Sequence, residues 1–347
     1  MVDVWKQPTV IARNHFRYKS LSSWSCNFAV GCRHGCLFCY VPDASTRRLG
    51  RHLVPYGVDD PDAQWGDYLF VRPWDEGKFL ASLEAAEAVP LSELNPDGNR
   101  AVMLCSTTDA YQTVRHPDPA RQQALSALLS SSVRRALELI LEGSTLNVRI
   151  LTRSPLCRRD FDLLRRFGPR LLLGMSIPTL QNRLARIYEP NAPAPTLRLA
   201  TLRAAKEHGL HVYAAVAPTY PECDENDLRA TLSAIAELDP VTIYSEPVNI
   251  RADNTQRIAH HAAAIGQSVD LSVFATPESW QRYATAALRS VERIAADLGL
   301  QDKLHLWPDA ALGTAVALKR VADPLAHEAW LKGCWAQISR WPSASGS

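Results

Sequence analysis

The composition of this 347-residue chain is that of a globular protein. Hydrophobic residues make up 46% and charged residues 21%, and the formal net charge of +2 is too balanced to indicate a nucleic-acid or membrane-surface protein by itself. We expect neither a secretory signal nor a membrane span, because no long apolar run is present. Eight cysteines in such a chain favour metal or catalytic roles in a reducing cytoplasm over a disulfide framework.

Short apolar runs alternate with longer amphipathic runs along most of the chain. The apolar runs, each predicted to be a buried strand, are WSCNFAV (24–30), AVMLC (101–105), NVRILT (147–152), RLLLGMSI (170–177), LHVYAAVAP (210–218) and VTIYSEP (241–247). The segments between them show helical spacing, and QQALSALLSSSVRRALELILEG (122–143) ends at glycine. This alternation is typical of βα units in a parallel sheet.

About six such units predict an α/β fold, a partial (β/α)6 TIM-like barrel, with a doubly wound open sheet as the competing architecture. We expect a lead-in at 1–20, a barrel core at 21–255 and a helical extension at 256–347. Residues 43–98 fit the rhythm poorly and are predicted to be an insertion with one helix, KFLASLEAAEA. The extension contains a strand-like LHLWP and ends in WPSASGS (341–347), which we expect to be disordered.

Three cysteines lie close together in the loop GCRHGCLFCY (31–40), with the spacing C-x3-C-x2-C. A structural zinc site needs four ligands, and the candidates for a fourth, His34 and Cys26, lack the usual spacing. The ferredoxin run of four cysteines is also absent. Three thiolates suit a 4Fe–4S cube with one iron left open, and an open coordination position is how a metal site performs chemistry. A structural zinc site or a plain thiol cluster is the alternative.

The C-x3-C-x2-C pattern followed by the aromatic Tyr40 resembles the signature of the radical S-adenosylmethionine superfamily. The loop follows the first predicted strand, and the βα rhythm fits the partial barrel of that superfamily. The resemblance implies that Cys32, Cys36 and Cys39 bind a 4Fe–4S cluster whose open iron holds S-adenosylmethionine. It also implies reductive cleavage of the sulfonium to a carbon radical, fed by an external electron donor of the flavodoxin or ferredoxin type.

Further stretches between about residues 20 and 255 resemble the spore photoproduct lyase branch, also called DNA-repair photolyase-like. They are N-x-x-x-GC (27–32), QWGDYLFVRP (64–73), TTDAYQ (107–112), VRILTRSPL (148–156), SIPTLQNRLARIYEPNAPAP (176–195) and EPVNIRADN (246–254). In that branch a cysteine three residues before an aspartate donates a hydrogen atom. Here Cys105 stands four residues before Asp109, and Ser106 holds the matching position. Cys105 is therefore a candidate radical relay, with a buried core cysteine as the alternative.

Polar residues follow each predicted strand, where a barrel of this type carries its chemistry. The candidates for catalysis are Cys105, Asp109 and Glu246. The candidates for cofactor contacts are Tyr40, Ser106, Thr107, Ser176, Arg186 and Asn249. The alternatives are structural: a cap for Asp109, a strand end for Ser176 and a solvated helix face for Arg186.

The sequence predicts an enzyme that cleaves S-adenosylmethionine and runs radical chemistry on a small molecule, because no basic arm or aromatic-basic platform for nucleic acid is visible. One alternative is transfer of the 3-amino-3-carboxypropyl group to a small acceptor such as sulfur or arsenic, bound by Cys105 and Cys223. Repair of DNA in the manner of spore photoproduct lyase is another, and a zinc or iron–sulfur protein without catalysis is the third. In the unmatched last third, His305 and Asp309 are candidates to line the substrate side, whereas Trp307 is expected in the core.

Overall fold

The structure is a computed structural model that describes residues 1–14 and 21–342. Its strands are β1 (Val2–Val4), β2 (Ile11–Arg13), β3 (Trp24–Cys26), β4 (Ala29–Val30), β5 (Leu69–Val71), β6 (Ala101–Leu104), β7 (Asn147–Thr152), β8 (Leu171–Ser176), β9 (Val212–Thr219), β10 (Ile243–Pro247) and β11 (Leu304–Leu306). Its α-helices are α1 (Val41–Leu53), α2 (Glu76–Glu87), α3 (Pro119–Gly143), α4 (Phe161–Arg165), α5 (Asn182–Tyr188), α6 (Pro195–Glu207), α7 (Glu225–Ala236), α8 (Asn254–Ala264), α9 (Pro277–Asp297), α10 (Ala315–Leu318) and α11 (Pro324–Ala336).

The main sheet has the strand order β11-β10-β9-β8-β7-β6-β3-β2. Its neighbours from β3 to β11 pair in parallel, and only the edge strand β2 runs antiparallel to β3. Every residue of β8 and of β9 is buried, as expected for strands covered on both faces. The α/β prediction with successive parallel strands is thereby confirmed.

An N-terminal cap determines where α3, the helix that follows β6, begins. Asp118 precedes Pro119 and accepts hydrogen bonds from the amides of Ala120 (2.9 Å) and Arg121 (3.4 Å). Such a cap followed by proline at the first helical position is a strong start signal. The helix therefore begins three residues before the range 122–143 predicted from apolar spacing alone, because its first turn is polar.

The insertion is more structured than predicted. Its strand β5 joins β1 and β4 in a second sheet of order β1-β5-β4, with Val2 opposite Leu69. Thus the predicted lead-in contributes one strand to each sheet, β1 here and β2 in the main sheet, although its residues 15–20 lie outside the described residues. The insertion region also holds two helices, α1 and α2, rather than one. Helix α1 was missed because its sequence, VPDASTRRLGRHL, is strongly polar overall and follows the cysteine motif directly.

The C-terminal extension completes the main sheet instead of lying beside it. Strand β11 pairs in parallel with β10, with Ile243 opposite Leu304. The chain then runs past the amino ends of the strands, where Trp341 donates to the carbonyl oxygen of Pro169 (2.8 Å) and covers the guanidinium of Arg149 (5.0 Å). Trp341 is therefore ordered, contrary to the predicted disordered tail, and residues 343–347 lie outside the described residues.

Side chains on one face of the main sheet form two layers, a lower layer toward the amino ends of the strands and an upper layer toward their carboxyl ends. The lower layer contains Arg149 and Tyr244, which are both buried, with the Arg149 guanidinium donating to the Tyr244 hydroxyl. A side chain at Gly174 would meet the Tyr213 ring at 2.3 Å, so only glycine leaves room for that ring. The upper layer is open and forms the cavity described below. In the described part of the chain, no helix combines the length and apolar character that crossing a membrane requires.

Candidate functional site

A cavity of about 680 Å³ lies at the carboxyl ends of the parallel strands. The residues predicted for catalysis, cluster binding and cofactor contacts all line it except Arg186, whereas the further candidates Cys223 and His305 do not. The walls between them are largely apolar, with Met103 from β6, Leu151 from β7 and Ala215 from β9. A concave apolar site with a few placed polar groups is typical of a ligand-binding pocket, and it stands where barrel enzymes carry their chemistry.

The three clustered cysteines all face this cavity from the loop between β4 and α1. Gly31 opens the loop at φ +88°, and a Cβ there would lie 2.3 Å from the carbonyl oxygen of Tyr68, so the turn requires glycine. Further along, the guanidinium of Arg257 donates to the carbonyl oxygens of Leu37 (3.0 Å) and Cys39 (3.3 Å). The loop is thus fixed at both ends.

The environment of the thiols is apolar enough to change their acidity. Burial raises the pKa of Cys36 to about 12 and raises the pKa values of Cys32 and Cys39 as well. Without a metal, the three groups are therefore protonated near neutral pH. Because a metal binds thiolates, loading this site must release protons, as metal sites commonly do.

The donor set fits an iron–sulfur cube. In residues 1–14 and 21–342, no group of three His, Cys, Asp or Glu side chains is arranged to hold a single metal ion. In a cube, each thiolate binds its own iron, so the three sulfurs need not converge on one point. Cys32, Cys36 and Cys39 lining one cavity that is large enough for further ligands match that requirement.

The turn after β6 is tied directly to the cysteine loop. Tyr40 donates its hydroxyl to the carbonyl oxygen of Ser106 (2.6 Å). Asn27 accepts from both the amide and the hydroxyl of Thr107 (3.0 Å each). Cys105 begins this turn with φ +67°, a left-handed conformation that is costly for a residue other than glycine. Asn27 is thus a positioning residue whose role was not evident from its place in the motif.

Asp109 is the centre of a buried hydrogen-bond network. Its carboxylate accepts from the Thr152 hydroxyl (2.8 and 2.9 Å), the Arg153 amide (2.9 Å) and the Tyr111 amide (2.8 Å), and the His34 ring lies 3.0 Å away. Burial raises the pKa of Asp109, but hydrogen bonding and charge from His34, with the amides, outweigh it and lower the pKa to about 2. With its oxygens occupied in this way, Asp109 acts as a positioning residue between the loops that follow β6 and β7.

On the far side of the cavity, Glu246 lies in the last residues of β10 and Asn249 follows the end of that strand. The pairing register of β10 with β9 shifts between Ser245 and Pro247, which frees Glu246 from the regular ladder. Asn249 donates to the Glu246 carboxylate (3.2 Å), and its own Oδ1 is buried without a hydrogen-bond partner among the described residues. A buried acceptor left open in this way fits a ligand that donates a hydrogen bond.

Two predicted candidates, one at the end of β8 and one after it, differ in their position relative to the cavity. Ser176 is buried in the cavity wall and donates to the carbonyl oxygen of Ala217 (3.1 Å). Arg186 lies on the exposed face of α5, because its neighbours Ala185 and Ile187 face the core. The structure therefore does not bring Arg186 to the cavity.

A buried ion triad beside the cysteine loop was not singled out from the sequence. Arg153 lines the cavity and donates to Glu189 (2.6 Å), which also pairs with Arg198 (2.6 Å). Glu189 and Arg198 are completely buried side chains. A sequence signal existed for Arg153, which follows a predicted strand, but none marked Glu189.

The last third of the chain supplies the remaining wall. Trp307 and Asp309, which follow β11, line the cavity, and Asp309 pairs with Arg251 across it. Trp307 also stacks on Tyr244 (4.4 Å), so it belongs to the core and to the cavity together. Cys223 does not line the cavity, and its thiol is hydrogen-bonded to Asp227. The structure therefore does not bring Cys105 and Cys223 together in a two-thiol site.

Comparison with known proteins gives relatives but no matching family model. The uncharacterized protein ORF301 of Acidianus two-tailed virus is 32% identical over 246 residues, which span 69% of this chain and 72% of that protein. The uncharacterized protein MJ0683 of Methanocaldococcus jannaschii is 22% identical over 269 residues, or 77% of this chain and 85% of that protein.

Solved structures with a similar fold include mutants of spore photoproduct lyase. One, with bound AdoMet and dinucleoside spore photoproduct, has a TM-score of 0.59 at 15% identity and covers 88% of this chain and 81% of its own. Another mutant of the same enzyme has a TM-score of 0.60 at 14% identity with the same coverage. At this level of identity the likeness establishes the fold.

Proposed function

The chain belongs to one family with the viral protein ORF301 and has the spore photoproduct lyase-like fold of the radical S-adenosylmethionine superfamily, and from this premise we propose that it is a radical S-adenosylmethionine enzyme acting on a small molecule. One observation carries the proposal. The thiols of Cys32, Cys36 and Cys39 open into the same cavity as polar side chains from the ends of several strands.

In this proposal each of the three thiolates binds one iron of a 4Fe–4S cluster. When bound, the cluster and S-adenosylmethionine supply a carbon radical by reductive cleavage of the sulfonium, with electrons from an external donor of the flavodoxin or ferredoxin type. The chain binds and orients these groups and keeps water away from the radical. The apolar walls and the buried Ser176 and Asn249 provide the surface for such binding.

The size of the cavity favours a small substrate. A volume of about 680 Å³ is that of a pocket for one drug-sized ligand, and here it must hold the cluster, S-adenosylmethionine and the reacting part of the substrate. The net charge of +2 gives no general attraction for phosphate backbones. Repair of a dinucleotide lesion, as the fold relative's bound ligand suggests, is the alternative that needs more room.

Transfer of the 3-amino-3-carboxypropyl group differs only in which sulfonium bond breaks, and small changes in orientation decide that choice. The acceptor site predicted for this reaction, with Cys105 and Cys223 as its two thiols, is not formed, because Cys223 lies outside the cavity. Cys105 remains in the cavity wall. The nature of the nucleoside product therefore separates the two reactions.

The test is an anaerobic turnover assay on the full chain. The protein is reconstituted with iron and sulfide, reduced with dithionite and mixed with S-adenosylmethionine, and the nucleoside is identified by mass spectrometry. We expect 5′-deoxyadenosine from the unmodified chain and neither cluster nor product from Cys36→Ala, with Cys334→Ala on α11 as the matched control. S-Methyl-5′-thioadenosine would instead establish carboxypropyl transfer. An intact cluster that yields neither nucleoside would contradict the proposal.

A further inference from the structure

The triad of Arg153, Glu189 and Arg198 places fixed charge against the cysteine loop. Arg153 is anchored three times: its amide donates to Asp109 (2.9 Å), its Nε donates to Glu189 (2.6 Å), and its guanidinium lies 5.5 Å from the centre of the Phe38 ring. Phe38 stands in the loop between two of the cysteines. The guanidinium is therefore held in one position beside the loop.

Arg198, the third member of the triad, holds Glu189 from the other side. Arg198 pairs with Glu189 (2.6 Å) and also donates to the carbonyl oxygens of Pro193 (2.7 Å) and Ser176 (3.0 Å). The Glu189 and Arg198 side chains are fully buried and that of Arg153 is 19% exposed. Charges with so little solvent around them are weakly screened, so they act at longer range than surface ion pairs.

These charges lie directly beside the cysteines. The Leu37 amide donates to the carbonyl oxygen of Tyr188 (2.9 Å), the residue before Glu189, so the loop is joined to the segment that carries the carboxylate. Arg153 lines the same cavity as the three cysteines. A buried cation and a buried anion are thus both held next to the thiols, where they have opposite effects on added negative charge.

We propose that Arg153 and Glu189 set the reduction potential of the iron–sulfur cluster held by Cys32, Cys36 and Cys39, with Arg153 raising the potential and Glu189 lowering it. The inference rests on the proposed function. Reduction adds one electron from an external low-potential donor and no proton, so the charge at the site becomes more negative by one. A fixed cation stabilises that added charge and a fixed anion opposes it. Arg198 is a positioning residue that keeps Glu189 ionised and in place.

The experiment is a potentiometric titration of the reconstituted full-length protein, followed by electron paramagnetic resonance, without S-adenosylmethionine. We expect Arg153→Gln to lower the potential and Glu189→Gln to raise it. The expected size is on the order of tenfold in the ratio of reduced to oxidised cluster at a fixed ambient potential, or about 59 mV for one electron. Arg153→Lys keeps the charge and should remain near the unmodified protein.

The matched control is Arg100→Gln, which breaks a half-buried ion pair with Glu87 before β6, at the opposite end of the strands. It should leave the potential unchanged. Shifts of Arg153→Gln and Glu189→Gln in the same direction, or no shift in either, would overturn the inference while the proposed function stands. Absence of any reducible cluster in the unmodified protein would overturn both. Circular dichroism confirms that each variant is folded before it is titrated.

Discussion

Cys105 adopts φ +67°, in the left-handed region that side chains other than glycine occupy only at a cost. Its amide donates to the carbonyl oxygen of Cys26 (2.9 Å), and its side chain lines the cavity. Strain of this type persists only where the surroundings enforce it, and it is frequent at functional sites. The strain can be measured without any assumption about catalysis.

We expect Cys105→Gly to be more stable than Cys105→Ala by about 1 kcal/mol in the free energy of unfolding, because glycine relieves the left-handed strain. Chemical denaturation of the two variants measures the difference. Cys157 is the control, since it is also fully buried but has an ordinary φ. There the order should reverse, with Cys157→Ala the more stable; the same order at both positions would show that Cys105 is not strained.

The Asp109 network predicts a stability that depends on pH. The folded pKa of about 2 lies below the ordinary value of 3.8, so ionised Asp109 stabilises the folded state above pH 3.8. That contribution is lost as the pH falls from 3.8 through 2. The shift corresponds to a contribution on the order of 2 kcal/mol at neutral pH.

Urea denaturation of the unmodified protein and of Asp109→Asn between pH 7 and pH 2.5 tests this. The stability difference should be largest near pH 7 and shrink below pH 3.8. Asp162→Asn is the control, since that carboxylate is 68% exposed in its ion pair with Arg134 and such pairs contribute little. A difference between the unmodified protein and Asp109→Asn that stays constant with pH would contradict the assignment.

At the scale of elements, helix α8 fastens the cysteine loop to the insertion. Arg257 donates to two carbonyl oxygens of the loop and pairs with Asp62, and both side chains of the pair are nearly buried. Removing one partner of such a pair leaves the other charge uncompensated. The loop that holds the thiols should therefore depend on a residue more than two hundred positions away in the chain.

We expect Arg257→Ala to cost about 3 kcal/mol in the free energy of unfolding and to speed loss of iron to a chelator several-fold. Iron release from the reconstituted protein, followed by absorbance, is the measurement. Arg293→Ala on α9, which breaks an exposed pair with Glu225, is the matched control and should change neither quantity appreciably. Equal rates of iron loss from Arg257→Ala and the unmodified protein would show that α8 does not hold the loop.

The sequence predicts best those elements that have a strong local pattern, such as a continuous apolar run or a spaced motif. Strands β6 to β10 are continuous apolar runs, and the cysteine loop is a spaced motif, so both could be recognised without tertiary information. The small sheet β1-β5-β4 was missed because its strands have two or three residues, too few to show a period. The partnership of Arg153 with Glu189 was missed because only the fold brings β7 and the end of α5 together.

At the scale of the whole molecule, the C-terminal segment, residues 337–341, packs over the amino ends of the strands. Trp341 covers Arg149, Ser339 donates to Asp97 from both its amide and its hydroxyl, and Gln337 donates to the Leu304 carbonyl (2.6 Å). The cavity lies on the opposite side of the lower layer. The segment therefore supports stability without contacting the cavity.

Trp341→Ala should lower the free energy of unfolding by about 2 kcal/mol, since a partly buried indole and its contact with a guanidinium are lost. Bound iron per chain should remain unchanged, because Trp341 does not line the cavity. Trp330→Ala on α11 removes a comparable half-buried indole that contacts Arg289 (3.8 Å), and it should likewise leave bound iron unchanged. Loss of iron from Trp341→Ala would show that closure of the strand ends also shapes the cavity.

The strands of the main sheet stand in the order in which the chain is synthesised, from β2 and β3 through β6 to β11. Each strand that leaves the ribosome can therefore pair with one already present, and no strand must wait for a later one to be inserted beside it. The strands beside the cysteine loop, β3, β6 and β7, are made before β10 and β11, whereas α8, whose Arg257 holds the loop, follows β10. The loop is therefore held from both sides only once α8 has been made, which still precedes the wall formed by Trp307 and Asp309.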